Sequence, residues 1–157
     1  MKNNDFVLAQ LNIGRLIAPI DSPIVKEFTD FIDPVNAFSE ESKGFVWRLK
    51  SEDGHSSSYV PTPFSDERII TNMTVWESLD DLKAFTFKTV HTYFLRSRRK
   101  WFEKMDTPHL VLWWIPRGHE PTLEEGKEKL EYLETNGPTP NAFTIQKAFD
   151  AQGTPLK

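Results

Sequence analysis

Between Phe6 and Ile13 the chain reads as a mostly apolar run of strand length, bounded on its exit by Gly14 and Pro19. Ser22 and Pro23 then predict a helix start, with a side-chain cap followed by proline at the first helical position. Behind them Ile24, Phe28, Phe31, Ile32, Val35 and Phe38 recur at steps of three and four, the spacing of a helix with one apolar face. Pro34 predicts a kink, or a restart capped by Asp33. After Gly44, Phe45 to Leu49 alternates as a strand, with Phe45, Trp47 and Leu49 on one face. Ser51 to Asp66 is rich in Ser, Pro and Gly and reads as a mobile loop at a pocket mouth. Arg68 to Trp76 is β-branched and predicts a second strand. There Ile70, Asn72, Thr74 and Trp76 lie opposite Ile69, Thr71, Met73 and Val75.

Ser78 and Asp81 have the spacing of a capping box, and Leu79, Leu82 and Phe85 continue it as a short helix. Thr86, Thr89 and Val90 weaken helix propensity, which predicts a joint before a second helix that runs to about Met105. His109 to Ile115 is apolar on both sides, as a doubly covered strand is. Thr122 and Glu125 cap a helix through Leu123, Leu130 and Leu133, which Gly137-Pro138 stops. A short strand from Ala142 to Gln146 follows. The expected architecture is α+β: a ferredoxin-like β-α-β-β-α-β sandwich with an antiparallel sheet, plus a C-terminal helix. Residues 1–150 form its single domain and 151–157 a disordered, fraying tail. One sheet face is left apolar and uncovered, so a second copy of the chain, packed sheet to sheet, is the expected cover.

The 157 residues suffice for one domain with a real core, and 13% aromatic content places rings in that core or around a pocket. A net charge of −4 argues against nucleic acid as partner. No run reaches the roughly 20 apolar residues of a membrane span, and the start lacks an apolar signal segment. A cytoplasmic location is therefore expected. The absence of cysteine excludes disulfides, thiolate catalysis and Cys-based metal sites.

Chemistry concentrates on the stretch after Val90. On a helix from Thr89, His91, Phe94, Leu95, Arg98 and Phe102 share one stripe, and a buried His and Arg there need partners. His91 is either a hydrogen-bonded structural residue or a pocket histidine acting as proton donor, base or axial ligand. Glu77 either favours the positive end of the helix or orients His91. Trp113 and Trp114 point to opposite sides of their strand, one into the core and the other toward a pocket or subunit contact. His119 reads as a capping or solvated residue, and His55 as incidental. Arg96 to Lys100 reads as a solvated helix face rather than a nucleic-acid patch. Phosphate-loop, dinucleotide, serine-elbow and paired-histidine zinc motifs are absent, and no metal site is expected.

The segments LAQLNIGRL, GFVWRL, VWESLDDLKAF and LVLWWIPRGHEPT closely resemble a bacterial domain-of-unknown-function family, number 3291, across about residues 7 to 147. That family looks like a branch of the dimeric α+β barrel proteins, among them antibiotic-biosynthesis-type monooxygenases. The resemblance implies a homodimer with a pocket near Trp76, Ser78 and His91. Three functions follow as expectations. The first is a cofactor-independent, monooxygenase-like enzyme acting on an apolar or aromatic metabolite, with His91 catalytic and Trp76, Glu77, Phe94, Arg98 and Trp113 lining the substrate. The second is a non-catalytic protein holding such a metabolite, with Arg98 meeting a carboxylate. The third is a haem-dependent protein with His91 as axial ligand, as in haem-containing relatives of the same barrel group.

Overall fold

The computed structural model describes residues 5–50, 63, 64, 66, 68–88, 100–105 and 107–156, side chains excepted at 31–33 and 88. Its elements run β1 (Phe6–Leu16), a short 3-10 turn (Pro23–Val25), α1 (Lys26–Glu40), β2 (Phe45–Arg48), β3 (Ile69–Trp76), α2 (Leu79–Lys88), β4 (Phe102–Glu103), β5 (Leu110–Pro116) and α3 (Leu123–Asn136). All strand pairs are antiparallel. β1 lies at the centre, flanked by β3 on one edge and by β5 and the short β4 on the other, with β2 beyond β3. That order is the ferredoxin-like one, as the element pattern predicts.

Alternation along the strands divides the molecule into two layers. Val7, Ala9, Leu11 and Ile13 of β1 join Met73 and Val75 of β3 and Val111, Trp113 and Ile115 of β5 on one face. Leu123, Leu130 and Leu133 of α3 close over them. This changes the expectation of an open face. The chain's own α3 covers it, and Leu11, Met73 and Val111 are fully buried within a single chain. The close approach depends on Gly126, since a Cβ there would lie 2.7 Å from Leu11 Cδ2 and 3.0 Å from Met73 Cε. Two sheets packed face to face would first require α3 to leave this surface.

The opposite face carries two apolar clusters, one at each end. Leu16, Val25, Phe28, Ile70 and Trp101 form the first; Leu8, Trp76, Leu82, Leu112 and Phe143, with Phe45 and Phe85 against them, form the second. Burial of this kind contributes on the order of 25 cal/mol per Å² of apolar surface.

Local signals read from the sequence mostly hold. Ser22 accepts from Ile24 N, Ser78 Oγ from Asp81 N, and Thr122 Oγ1 from Glu125 N, while Gly137 closes α3 by donating to Leu133 O. Five expectations change. Helix α1 continues through Pro34. β1 runs on through Gly14 to Leu16, because the bare glycine lets the Phe102 ring lie against the strand, where a Cβ would sit 2.7 Å from Phe102 Cδ1. Phe102 and Glu103, expected at the end of a helix reaching Met105, instead pair with Leu16 and Arg15 as β4. The tail is tied down rather than frayed: Leu156 N donates to Ala148 O and Asp150 N to Thr154 O, both at 2.8 Å. The expected last strand is reduced to a bridge between Phe143 and Leu112 on the outer edge of β5. The loop expected from 51 to 66 lies mostly outside the described residues.

Candidate functional site

Between the two apolar clusters, the sheet face under α1 is polar. Gln10 of β1 and Thr74 of β3 are Cα partners, as are Asn12 and Asn72, so four polar side chains line the middle of this face. Gln10 Nε2 donates to Asn72 Oδ1 at 2.9 Å and to Thr74 Oγ1 at 2.7 Å. Trp76 Nε1 donates to the same Thr74 oxygen at 2.8 Å. Both hydroxyl lone pairs are thereby engaged, and the Thr74 hydroxyl proton is left to donate onward. Helix α1 places a second polar strip on its buried side. Asn36 and Ser39 are its buried polar residues among those described, one helical turn apart, on the stripe that begins with Phe28.

An aromatic wall stands beside this strip. The Trp76 ring meets Phe45 edge-on at 5.7 Å and lies 5.2 Å from Phe85, and Phe85 stacks on Phe38 of α1 at 6.2 Å. Such ring pairs contribute about 0.5–1.5 kcal/mol beyond the area they bury.

Arg48 enters the same layer through a β-bulge. Between Phe45 and Trp47 the register of β2 shifts. Phe45 therefore packs on the Trp76 side, while Trp47 and Leu49 pack with the α3 core. The expectation that all three share a face fails at this bulge, because one extra residue inverts the alternation beyond it. Arg48 is turned toward α1 as a result, opposite Thr74. Its Nε donates to Glu40 Oε2 at 2.8 Å, and Lys50 Nζ lies 3.3 Å from the same oxygen. Only 10% of the Arg48 side chain is exposed, and its Nη1 is fully buried with no hydrogen-bond partner among the described residues. The Arg48 hydrogen bond holds the Glu40 carboxyl below its ordinary range, against the opposing effect of burial.

The other candidates from the sequence separate. Trp76 is wholly buried in the aromatic wall. Trp113 lies on the far face, in the α3 core, donating Nε1 to Glu125 Oε2 at 2.8 Å. The sheet stands between these two rings, so they cannot line one pocket. Trp114 is the one on the Trp76 side, with Nε1 donating to Phe149 O at 2.7 Å. Glu77 is bound in an exposed, two-pronged pair with Arg117, Oε1 to Nη2 at 2.6 Å and Oε2 to Nη1 at 2.9 Å. The Arg117 hydrogen bonds hold its carboxyl below the usual range. His119 Nε2 lies 2.7 Å from Glu125 Oε1, so Glu125 joins this exposed ring to the buried Trp113. His91, Phe94, Arg98 and His55 fall outside the described residues. Gln10, Asn36, Arg48 and Thr74 were not singled out from the sequence. Polar residues at inward positions of β1 and α1 were the available signal for the first two, but nothing in the sequence marks the bulge that turns Arg48 inward.

Among the described residues no group of His, Asp and Glu has the arrangement to hold a metal ion, and no helix is long and apolar enough to cross a membrane.

Similar folds occur among solved structures. A Pseudomonas aeruginosa protein aligns at 12% identity with a TM-score of 0.48, covering 74% of this chain and 98% of its own. A conserved Bacteroides thetaiotaomicron protein of unknown function, described as a possible oxidoreductase, aligns at 9% identity with a TM-score of 0.43, over 72% of this chain and 98% of its own. A Nitrosomonas europaea protein assigned as a candidate antibiotic biosynthesis monooxygenase aligns at 11% identity with a TM-score of 0.45, over 78% of this chain and 99% of its own. No curated protein matches the sequence significantly. The model of one family, described as a domain of unknown function (DUF3291), matches residues 7–157, and the chain belongs to that family.

Proposed function

We propose that this protein binds a small molecule with an aromatic or apolar body in the layer between the sheet and helices α1 and α2. One observation carries the reading: a polar strip in which buried Gln10 and Thr74 join half-buried Asn72, enclosed between two apolar clusters and bordered by the Trp76 wall. A core built only for stability gains little from polar groups at its centre, whereas a ligand pocket is mostly apolar with a few placed hydrogen-bonding groups. In its catalytic form the reading makes the protein a cofactor-independent, monooxygenase-like enzyme, in which His91 handles the proton and the ring wall excludes water.

Native mass spectrometry of freshly purified protein tests the binding reading. A retained organic mass, released on denaturation and lost in a Trp76→Ala variant, is the expected result. A bare chain that aromatic compounds neither load nor stabilise would contradict it. A haem spectrum of the pure protein that is lost in a His91→Ala variant would instead favour the haem reading, with His91 as axial ligand.

A further inference from the structure

Among the described residues, two donors of the interlayer site stand open to an acceptor. Arg48 Nη1 is fully buried with no partner among the described residues, and the hydroxyl of Thr74, its cross-strand partner, has both lone pairs taken by Gln10 and Trp76, which leaves its proton to donate. In an antiparallel pair such partners project from the same face, with Cβ atoms about 4.5–5.5 Å apart. A buried N–H of a charged group left unmade is costly, and native structures satisfy nearly all such groups. Glu40 does not complete the set. Its Oε2 already receives Arg48 Nε and Lys50 Nζ, so among the described residues one carboxylate stands between two cations and a positive charge is left over.

Resting on the binding reading above, we infer that the ligand carries a carboxylate, seated by Arg48 Nη1 and the Thr74 hydroxyl, with its ring against Trp76. A carboxylate fits this pair of donors for three reasons. It is acceptor-only, so it takes both protons without presenting one of its own. It neutralises the surplus charge. Its hydrogen bonds to a guanidinium are of the strong, charge-assisted kind. A carboxamide of the same shape offers one acceptor oxygen in place of two and no charge, so its bonds to these donors are weaker and the surplus charge stays.

The test compares matched acids and amides, phenylacetate with phenylacetamide and indoleacetate with indoleacetamide, by thermal shift and calorimetry at constant ionic strength. Wild-type protein, Arg48→Met and Thr74→Val are the samples. The acids should bind wild type at least about tenfold more tightly than their amides, the factor that about 1.4 kcal/mol represents. Arg48→Met should erase that preference, bringing acid affinity down to that of the amide or below, and Thr74→Val should reduce it. Should Arg48→Met fail to fold, Arg48→Lys replaces it: it keeps the charge beside Glu40 but loses the second nitrogen, and the preference should fall. Equal affinity for acid and amide, or a preference that survives the Arg48 change, overturns the carboxylate assignment and leaves the binding site standing. Absence of any binding by acids and amides alike overturns the binding reading and the carboxylate with it.

Discussion

Trp76 donates its indole N–H to the hydroxyl of Thr74, two residues earlier on the same strand, at 2.8 Å. Side chains at i and i+2 of a strand share a face, so the contact is a direct product of the β3 pattern. It fixes the ring's rotation and presents the rest of the indole to Phe45 and Phe85. Thr74 is therefore the hub that joins the polar strip to the aromatic wall.

Replacing that hub by an isostere isolates its role. Thr74→Val keeps the shape but leaves the Gln10 and Trp76 donors short of an acceptor. Stability should fall by about 1–3 kcal/mol, the cost of an unsatisfied buried polar group. Thr74→Ser should recover most of it. Urea unfolding followed by tryptophan fluorescence measures both, and a neutral Thr74→Val would show that the strip is not the interior network described.

The tight seat of α3 makes Gly126 sensitive. Gly126→Val drives a branched side chain into Leu11 and Met73, already within 3.0 Å of an added Cβ. Overpacking of this kind costs about 1–3 kcal/mol. Gly126→Ala should cost less, since both neighbours present side-chain ends that can rotate. Equal stability of wild type and the valine variant would mean α3 rides higher on the sheet than described.

Acid should unfold the protein through its paired carboxylates. Glu40 beside Arg48, Asp66 bound to the Arg68 backbone N–H and the Arg15 side chain, and Glu77 beside Arg117 all titrate below their ordinary range. A group whose folded pKa is depressed adds stability above its unfolded value and loses it as pH falls through the folded one. The loss should therefore begin as pH falls into the ordinary carboxylate range, about 4–5, and continue below it. Glu77 and Arg117 are exposed, so solvent screens their share. Glu77→Gln should flatten the profile slightly and Glu40→Gln more, read as melting temperature against pH. Profiles steeper in either variant than in wild type would contradict this assignment.

Most of the fold was legible because its signals are local. The β3 alternation placed Asn72, Thr74 and Trp76 on one face, and Thr122, Ser78 and Gly137 marked helix ends by chemistry that needs no tertiary contact. What was not legible depends on partners distant in sequence. The closure of the Val7–Ile115 face by α3 requires knowing that Leu123, Leu130 and Leu133 fold back on the sheet, and periodicity cannot say which face a helix covers. Strict alternation placed Phe45, Trp47 and Leu49 together, and the bulge between them both separates these rings and turns Arg48 inward. Trp113 and Trp114 were correctly set on opposite sides, but only the fold shows that Trp114, not Trp113, is on the Trp76 side.

His91, the proposed proton-handling residue, lies outside the described residues and is tested by substitution. His91→Gln keeps a hydrogen bond but cannot titrate near neutrality. In a functional role it should leave the melting temperature unchanged and abolish turnover or ligand retention. A fall in stability of about 1–3 kcal/mol with binding intact would mark a structural histidine instead.

The opposite placement of Trp76 and Trp113 allows the most direct test of where the ligand sits. Each indole N–H gives its own resonance in a nitrogen-15 spectrum, assigned with Trp76→Phe and Trp113→Phe variants. Titration with indoleacetate should move the Trp76 resonance progressively and leave that of Trp113, held by Glu125 on the far side of the sheet, in place. A moving Trp113 beside a fixed Trp76, or two fixed resonances at saturating ligand, would contradict the interlayer site.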